Sequence, residues 1–150
     1  MIVISCSLPG VVHVSFGTVN VRQALSRLRR SARNVGIEDI RIYRPDHPVV
    51  RRAVEEKIMG QRRGAGYWLW KPYILLDTLN AVAEGTVIVY SDAYSDAGQR
   101  YVADPSPLID LAATRDVVLF HNNGGQLQRT WTKRDCFVLL DDGRRTCGAG

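Results

Sequence analysis

Residues 11–16 form a β-branched, apolar run that Gly17 and Thr18 punctuate, and they read as a strand. Behind them Val21, Ala24, Leu25, Leu28, Ala32 and Val35 recur at 3.6-residue spacing with arginines between them. That spacing predicts an amphipathic helix, with Thr18 or Asn20 placed to cap its start and Gly36 to end it. Residues 39–43 read as a second strand, stopped by Pro45. Pro48 suits the first turn of a short helix in which Val50, Ala53, Val54 and Lys57 share a side. Residues 59–66 read as a Gly/Arg loop. From 68 to 82 the chain is apolar almost all round, which predicts a buried helix entered through Pro72. A short run at 86–90 fits a strand buried on both faces. A helix at 107–114, a fourth buried strand at 117–120 and a last helix at 132–140 complete the pattern. Residues 1–6 are apolar but too short for a signal peptide and without a basic start.

Strands alternating with helices imply right-handed crossovers. The expected class is α/β: a Rossmann-like, mostly parallel sheet with helices on both faces. Its strands lie at about 11–16, 39–43, 86–91 and 116–120, in one domain spanning 1–140. Residues 141–150 show no apolar periodicity and contain three glycines, so a disordered tail is expected. Ligands of such sheets bind beyond the carboxyl ends of the strands. Those ends carry Gly17-Thr18, Arg44-Pro45-Asp46, Ser91-Asp92-Ala93 and His121-Asn122-Asn123. Asp92 follows a buried strand directly, where rigid backbone would hold its carboxylate against a ligand or a metal. An aspartate capping the next helical turn is the alternative.

Neither G-x-G-x-x-G nor G-x-x-x-x-G-K-[ST] occurs, so the dinucleotide and P-loop fingerprints are missing. G-x-S-x-G and H-E-x-x-H are missing too. His13 lies inside a strand and reads as a core or edge histidine, whereas His121 ends a strand on the candidate edge. Cys6, Cys136 and Cys147 make neither an even framework nor a C-x-x-C pair, so a reducing cytoplasm is the expected compartment. No apolar run approaches the length of a membrane span. The formal net charge of +5 is uneven: residues 1–66 hold 12 Lys and Arg against 5 Asp and Glu, and residues 67–150 hold 8 against 10. Such a bias suits a solvated helix face, or attraction to nucleic acid, anionic headgroups or a phosphorylated small molecule. Nucleic acid is disfavoured, because no aromatic residues interleave with the arginines as a stacking platform requires.

The segment Gly66-Tyr67-Trp68-Leu69-Trp70-Lys71-Pro72-Tyr73-Ile74-Leu75-Leu76 is followed by Gly85-Thr86-Val87-Ile88-Val89-Tyr90-Ser91-Asp92-Ala93. Together they resemble a family of bacterial and phage glycosyltransferase-like proteins associated with surface polysaccharides. Such proteins carry a G-Y-W-x-W-K-P stretch, a helix, and a strand ending in Tyr-x-Asp-Ala. Trp131-Thr132-Lys133-Arg134-Asp135 and Phe137-Val138-Leu139 extend the resemblance, which covers about residues 11–140.

The resemblance implies a GT-A-type nucleotide-sugar-binding fold, in which an Asp-x-Asp motif at a strand end holds a divalent metal, Mn²⁺ or Mg²⁺, on the diphosphate. Asp92 matches the first acid, Tyr94 stands at the position of the second, and Asp96 is the substitute metal ligand. Lys71 is expected as a cationic partner for phosphate, with a lysine at a helix start reaching to water as the alternative. Thr18 and Asp46, from the strand ends, and Trp70 are further substrate-binding candidates, and core packing is the favoured alternative to sugar stacking for Trp68 and Trp70. The implied partners are a nucleotide-sugar donor and an unknown glycan acceptor, met at the cytoplasmic face of a membrane by a peripheral protein. Family members generally continue well past the W-T-K-R-D segment, so a shortened C-terminus is expected here. An active glycosyltransferase and a catalytically silent binding module or remnant are therefore both open, with a basic nucleic-acid-binding domain as a third class.

Overall fold

In the computed structural model, β-strands form at Ile2–Ile4 (β1), Val11–Phe16 (β2), Asp39–Tyr43 (β3), Val87–Tyr90 (β4) and Val117–Leu119 (β5). Helices form at Arg22–Asn34 (α1), Pro48–Ala53 (α2), Trp70–Ala81 (α3) and Ser106–Ala113 (α4), with a 3-10 turn at Val19–Val21. The structure describes residues 2–4, 10–53, 61–93 and 100–119, all of them in the unit formed by residues 1–120. The expected helix at 132–140, the tail at 141–150, and Asp96 and His121 lie outside the described residues.

The strands make one sheet in the order β3-β2-β4-β1-β5. β2 pairs parallel with β3 on one side, Val12 opposite Asp39, and parallel with β4 on the other, Val12 opposite Ile88. This parallel core places the fold in the α/β class, as the alternation predicts. The sheet departs from expectation at its far side. β1, which the sequence reading left unassigned, inserts between β4 and β5 and pairs antiparallel with both. β5 thereby runs in the direction of β4 without touching it, and as an edge strand it leaves Val117 and Leu119 exposed, not buried as expected. Three apolar residues give no local signal for such an insertion; the two open strand edges that β1 satisfies come from distant parts of the chain.

The two central strands alternate their side chains between two covered faces. Val12, Val14 and Phe16 of β2 join Ile88 and Tyr90 of β4, Tyr43, Val50 of α2, and Trp70 and Ile74 of α3 in one buried cluster. On the other face Val87 and Val89 pack with Ala112 of α4, against Val11, Tyr101, Ile109 and Val118. α1 belongs to this second side, since Ser31 Oγ accepts the Tyr101 N–H at 3.0 Å. α1 buries Ala24, Leu25, Leu28 and Ala32, which its spacing selects, and exposes Arg22, Arg29, Arg30 and Arg33, with Arg27 half-buried.

α3 corrects the expectation of a helix buried all round. Trp70, Ile74 and Thr78, four residues apart, face the sheet. Tyr73 is 41% exposed, Leu76 57%, and Leu69 and Leu79 are also open. A helix lying on one sheet face has one buried stripe, whatever the composition of its outer side. Tyr43 of β3 fixes α3 in place: its hydroxyl donates to Asp77 Oδ2 at 2.6 Å and lies 3.0 Å from Thr78 Oγ1.

Candidate functional site

β2 has β3 on one side and β4 on the other, so the connection after β2 goes one way to β3 and the next returns past β2 to β4. The carboxyl end of β2 is thus where the strand order reverses, the place at which open α/β sheets form a ligand crevice. Gly17 lets the chain turn there. A Cβ at this position would come within 2.5 Å of the Leu25 side chain and 2.6 Å of that of Val21, so any larger residue would have to push those side chains aside. Thr18 follows as the residue before the 3-10 turn, and its side chain makes no capping hydrogen bond.

On the opposite side of the β2 end stands the tryptophan-rich segment. The one-turn helical piece Gly64–Tyr67 is left-handed within: φ is +60° at Gly64, +47° at Ala65, +92° at Gly66, +54° at Tyr67 and +60° at Trp68. Left-handed backbone costs about 1 kcal/mol or more at each non-glycine residue, and such strain gathers at functional sites. Trp70 anchors the turn. Its indole Nε1–H donates to the Gly64 carbonyl at 3.0 Å, and its ring stacks on Phe16 with centroids 3.9 Å apart. Trp70 is 3% exposed, whereas Trp68 is 41% exposed, with the Arg63 guanidinium 5.8 Å from its ring centre.

At the end of β4, Asp92 is held on both oxygens. Lys71 Nζ donates to Oδ2 at 2.9 Å, and the Tyr90 hydroxyl donates to Oδ1. Tyr90 ends β4 and Asp92 follows two residues on, close enough for the two side chains to meet. Burial first, and then the Asp92 carboxylate, push the Tyr90 hydroxyl far above its ordinary range, so it stays protonated and remains a donor. The Lys71 ammonium also lies 5.4 Å from the Tyr90 ring centre and 5.8 Å from that of Trp70. The ion pair is about one-third exposed at each partner, which leaves the group open to a ligand.

These parts meet. Thr18, Trp70 and Asp92, together with Asn20, Gln61 and Trp68, line a cleft of about 710 Å³. Lys71 reaches it through Asp92. Asp46 does not share this cleft. It lines a neighbouring hollow of about 550 Å³ with Arg22, Arg29 and Arg44; Gly17 and Thr18 are common to both. Of the five substrate-binding expectations, Thr18, Trp70, Lys71 and Asp92 therefore come together, and Asp46 stands beside them.

A divalent cation at Asp92 would have to share the carboxylate with Lys71 and Tyr90 and find further oxygen donors. Among the described residues no three His, Cys, Asp or Glu side chains converge, and Asp96 lies outside them. His13 is buried on the second face of the sheet, as its place in the strand suggests, with Nδ1 2.7 Å from the Tyr101 hydroxyl and Nε2 3.4 Å from Ser91 Oγ. Ser15 donates to the Ser91 carbonyl at 2.8 Å, so this network fixes the backbone that carries Asp92.

The sequence reading missed Tyr90 as a partner, although its spacing from Asp92 carries that signal. It also missed Gln61 and Arg62, which line the cleft from what reads as a plain Gly/Arg loop. Among the described residues no helix is long and apolar enough to cross a membrane. No protein-family model, curated protein or solved structure matches the chain.

Proposed function

We propose that the cleft at the carboxyl edge binds the glycosyl end of a nucleotide-sugar, and that the chain is a glycosyltransferase-like protein of the GT-A type acting on a surface-glycan precursor. One observation carries this reading: Thr18, Trp70 and Asp92, from three distant segments, line a single cleft at the reversal of strand order, with an exposed indole at position 68. A sugar offers hydroxyl donors and an apolar ring face. Asp92 is a carboxylate acceptor for the former, and Trp68 is a flat apolar partner for the latter. Lys71 and Tyr90 orient the carboxylate and offset its charge, so that a neutral polyol meets a balanced site. The same pair keeps Asp92 fixed in the free protein, which lowers the ordering cost of binding. Resemblance of the G-Y-W-x-W-K-P stretch and the Tyr-x-Asp-Ala strand end to glycosyltransferase-like proteins supports the same class.

Calorimetric titration with a panel of nucleotide-sugars tests the reading. Wild type should bind at least one of them, and Asp92→Asn, which keeps size and removes charge, should weaken that binding at least tenfold. Equal affinity in both proteins rejects the site. Repeating the titration with Mn²⁺ and then with chelator tests a cation on Asp92 and Asp96; chelation weakens binding if that ion takes part. Transfer or hydrolysis of the donor identifies an enzyme, and binding without turnover identifies a silent binding module.

A further inference from the structure

The hollow of about 550 Å³ beside the cleft has a composition that the glycosyl reading does not use. Arg22 and Arg29 come from one side of α1, seven residues and about two turns apart. Arg44 comes from the end of β3, so two separate elements direct guanidinium groups into one space. Thr18 and Ser26 add hydroxyls. Among the described residues of the lining Asp46 is the only acid, which leaves three cations against one anion. Among the described residues none of these arginines is ion-paired: the pairs found are Arg41 with Asp39 and Lys71 with Asp92.

The contrast with the cleft is chemical. There, the acid is matched by a lysine and a tyrosine hydroxyl. Here, the excess charge has no partner among the described residues of the lining. Guanidinium is the side-chain group suited to phosphate, because its planar fork donates two parallel hydrogen bonds. Three of them around a hollow fit a ligand with two or more negative charges.

We infer that the hollow formed by Arg22, Arg29 and Arg44 is a phosphoryl-binding subsite, and that it takes the diphosphate of the ligand whose glycosyl end occupies the adjoining cleft. The inference rests on the nucleotide-sugar reading for the identity of the ligand, but not for the class of anion. Gly17 and Thr18 border both spaces, so one molecule can extend from the arginines to Asp92 around the end of β2. In this arrangement the guanidinium groups balance the phosphate charge and Asp92 is left to the sugar. Diphosphate binding at the arginines therefore needs no divalent ion.

The test is isothermal titration of the full chain with inorganic pyrophosphate, and then with nucleoside diphosphates, at low salt and with chelator present. Arg22→Gln, Arg29→Gln and Arg44→Gln are compared with Arg30→Gln, an exposed arginine of the same helix outside the hollow. Wild-type binding should survive chelation. Each lining substitution should weaken it about tenfold, and the Arg30 control should leave it within twofold. All four residues are exposed, and unchanged thermal midpoints will show that the variants fold. Absence of pyrophosphate binding, loss of it on chelation, or equal weakening by the Arg30 control overturns the subsite, the last because it marks a diffuse basic surface. Arginine-dependent pyrophosphate binding without affinity for any nucleotide-sugar keeps the subsite and rejects the glycosyl reading. Nucleotide-sugar affinity untouched by the three lining substitutions does the reverse.

Discussion

The two faces of the sheet are built from the same strands and are chemically unlike. From β2, Val12, Val14 and Phe16 point to the side of α2 and α3, where Trp70 stacks on Phe16 and the packing is largely hydrocarbon and aromatic. From the alternate positions, His13 and Ser15 point to the side of α1 and α4, where a buried imidazole and two buried serines share hydrogen bonds that end at the half-buried Tyr101 hydroxyl. One face draws its stability from area removed from water. The other depends on keeping polar groups paired, because an unmatched buried group costs more than its bond contributes. The apolar face supports the cleft through Trp70. The polar face supports it through the backbone of Ser91, one residue before Asp92.

The largest effect should appear on the apolar face. Trp70→Ala removes the stack on Phe16 and the bond to Gly64, and it should cost about 3–5 kcal/mol in denaturant unfolding. A midpoint unchanged by this substitution would break the account of that face. The polar face should reveal itself through acid. Burial holds the His13 imidazole neutral, with its pKa lowered from 6.5 to about 4. Between those values the unfolded chain takes up a proton that the folded chain refuses. Stability should therefore be unaffected by this group above pH 6.5 and fall as the pH drops towards 4, by about 3 kcal/mol in all. Urea unfolding from pH 7.5 to 4 checks it, and in His13→Gln this share of the slope should vanish. The smallest effect belongs to the outer side of α3. Leu76→Gln replaces an exposed side chain and should change stability by no more than about 0.5 kcal/mol. A larger loss would show that the outer stripe of α3 is covered.

Much of this was legible in the chain. Each parallel strand is a compact β-branched run, and α1 separates leucines from arginines so cleanly that its buried residues can be named from spacing. The carboxyl-edge position of Thr18, Asp46 and Asp92 follows from strand direction alone. Three features were not legible, each for a physical reason. β1 is defined by partners that lie more than eighty residues away. The outer stripe of α3 is apolar in sequence and exposed in structure, and periodicity reports a buried side only where the other side is polar. The bond from Lys71 to Asp92 and the meeting of Arg22 and Arg29 with Arg44 join residues that no local pattern relates.

The left-handed run from Gly64 to Trp68 bears on how this protein can change. From outside the run, the Trp70 indole on the Gly64 carbonyl, the Phe16 ring beneath that indole, and the carbonyls of Gln61, Arg62 and Arg63 hold its backbone. A Cβ at position 64 would lie 2.4 Å from the Trp68 ring, so that position tolerates glycine alone. Gly64, Trp70 and Phe16 are therefore coupled: an alteration in one changes the support of the others. The tryptophan-rich stretch is not a portable cassette either. Grafted onto another scaffold without a phenylalanine at the end of the first parallel strand, it would carry the letters of the motif and lose the orientation of Trp68.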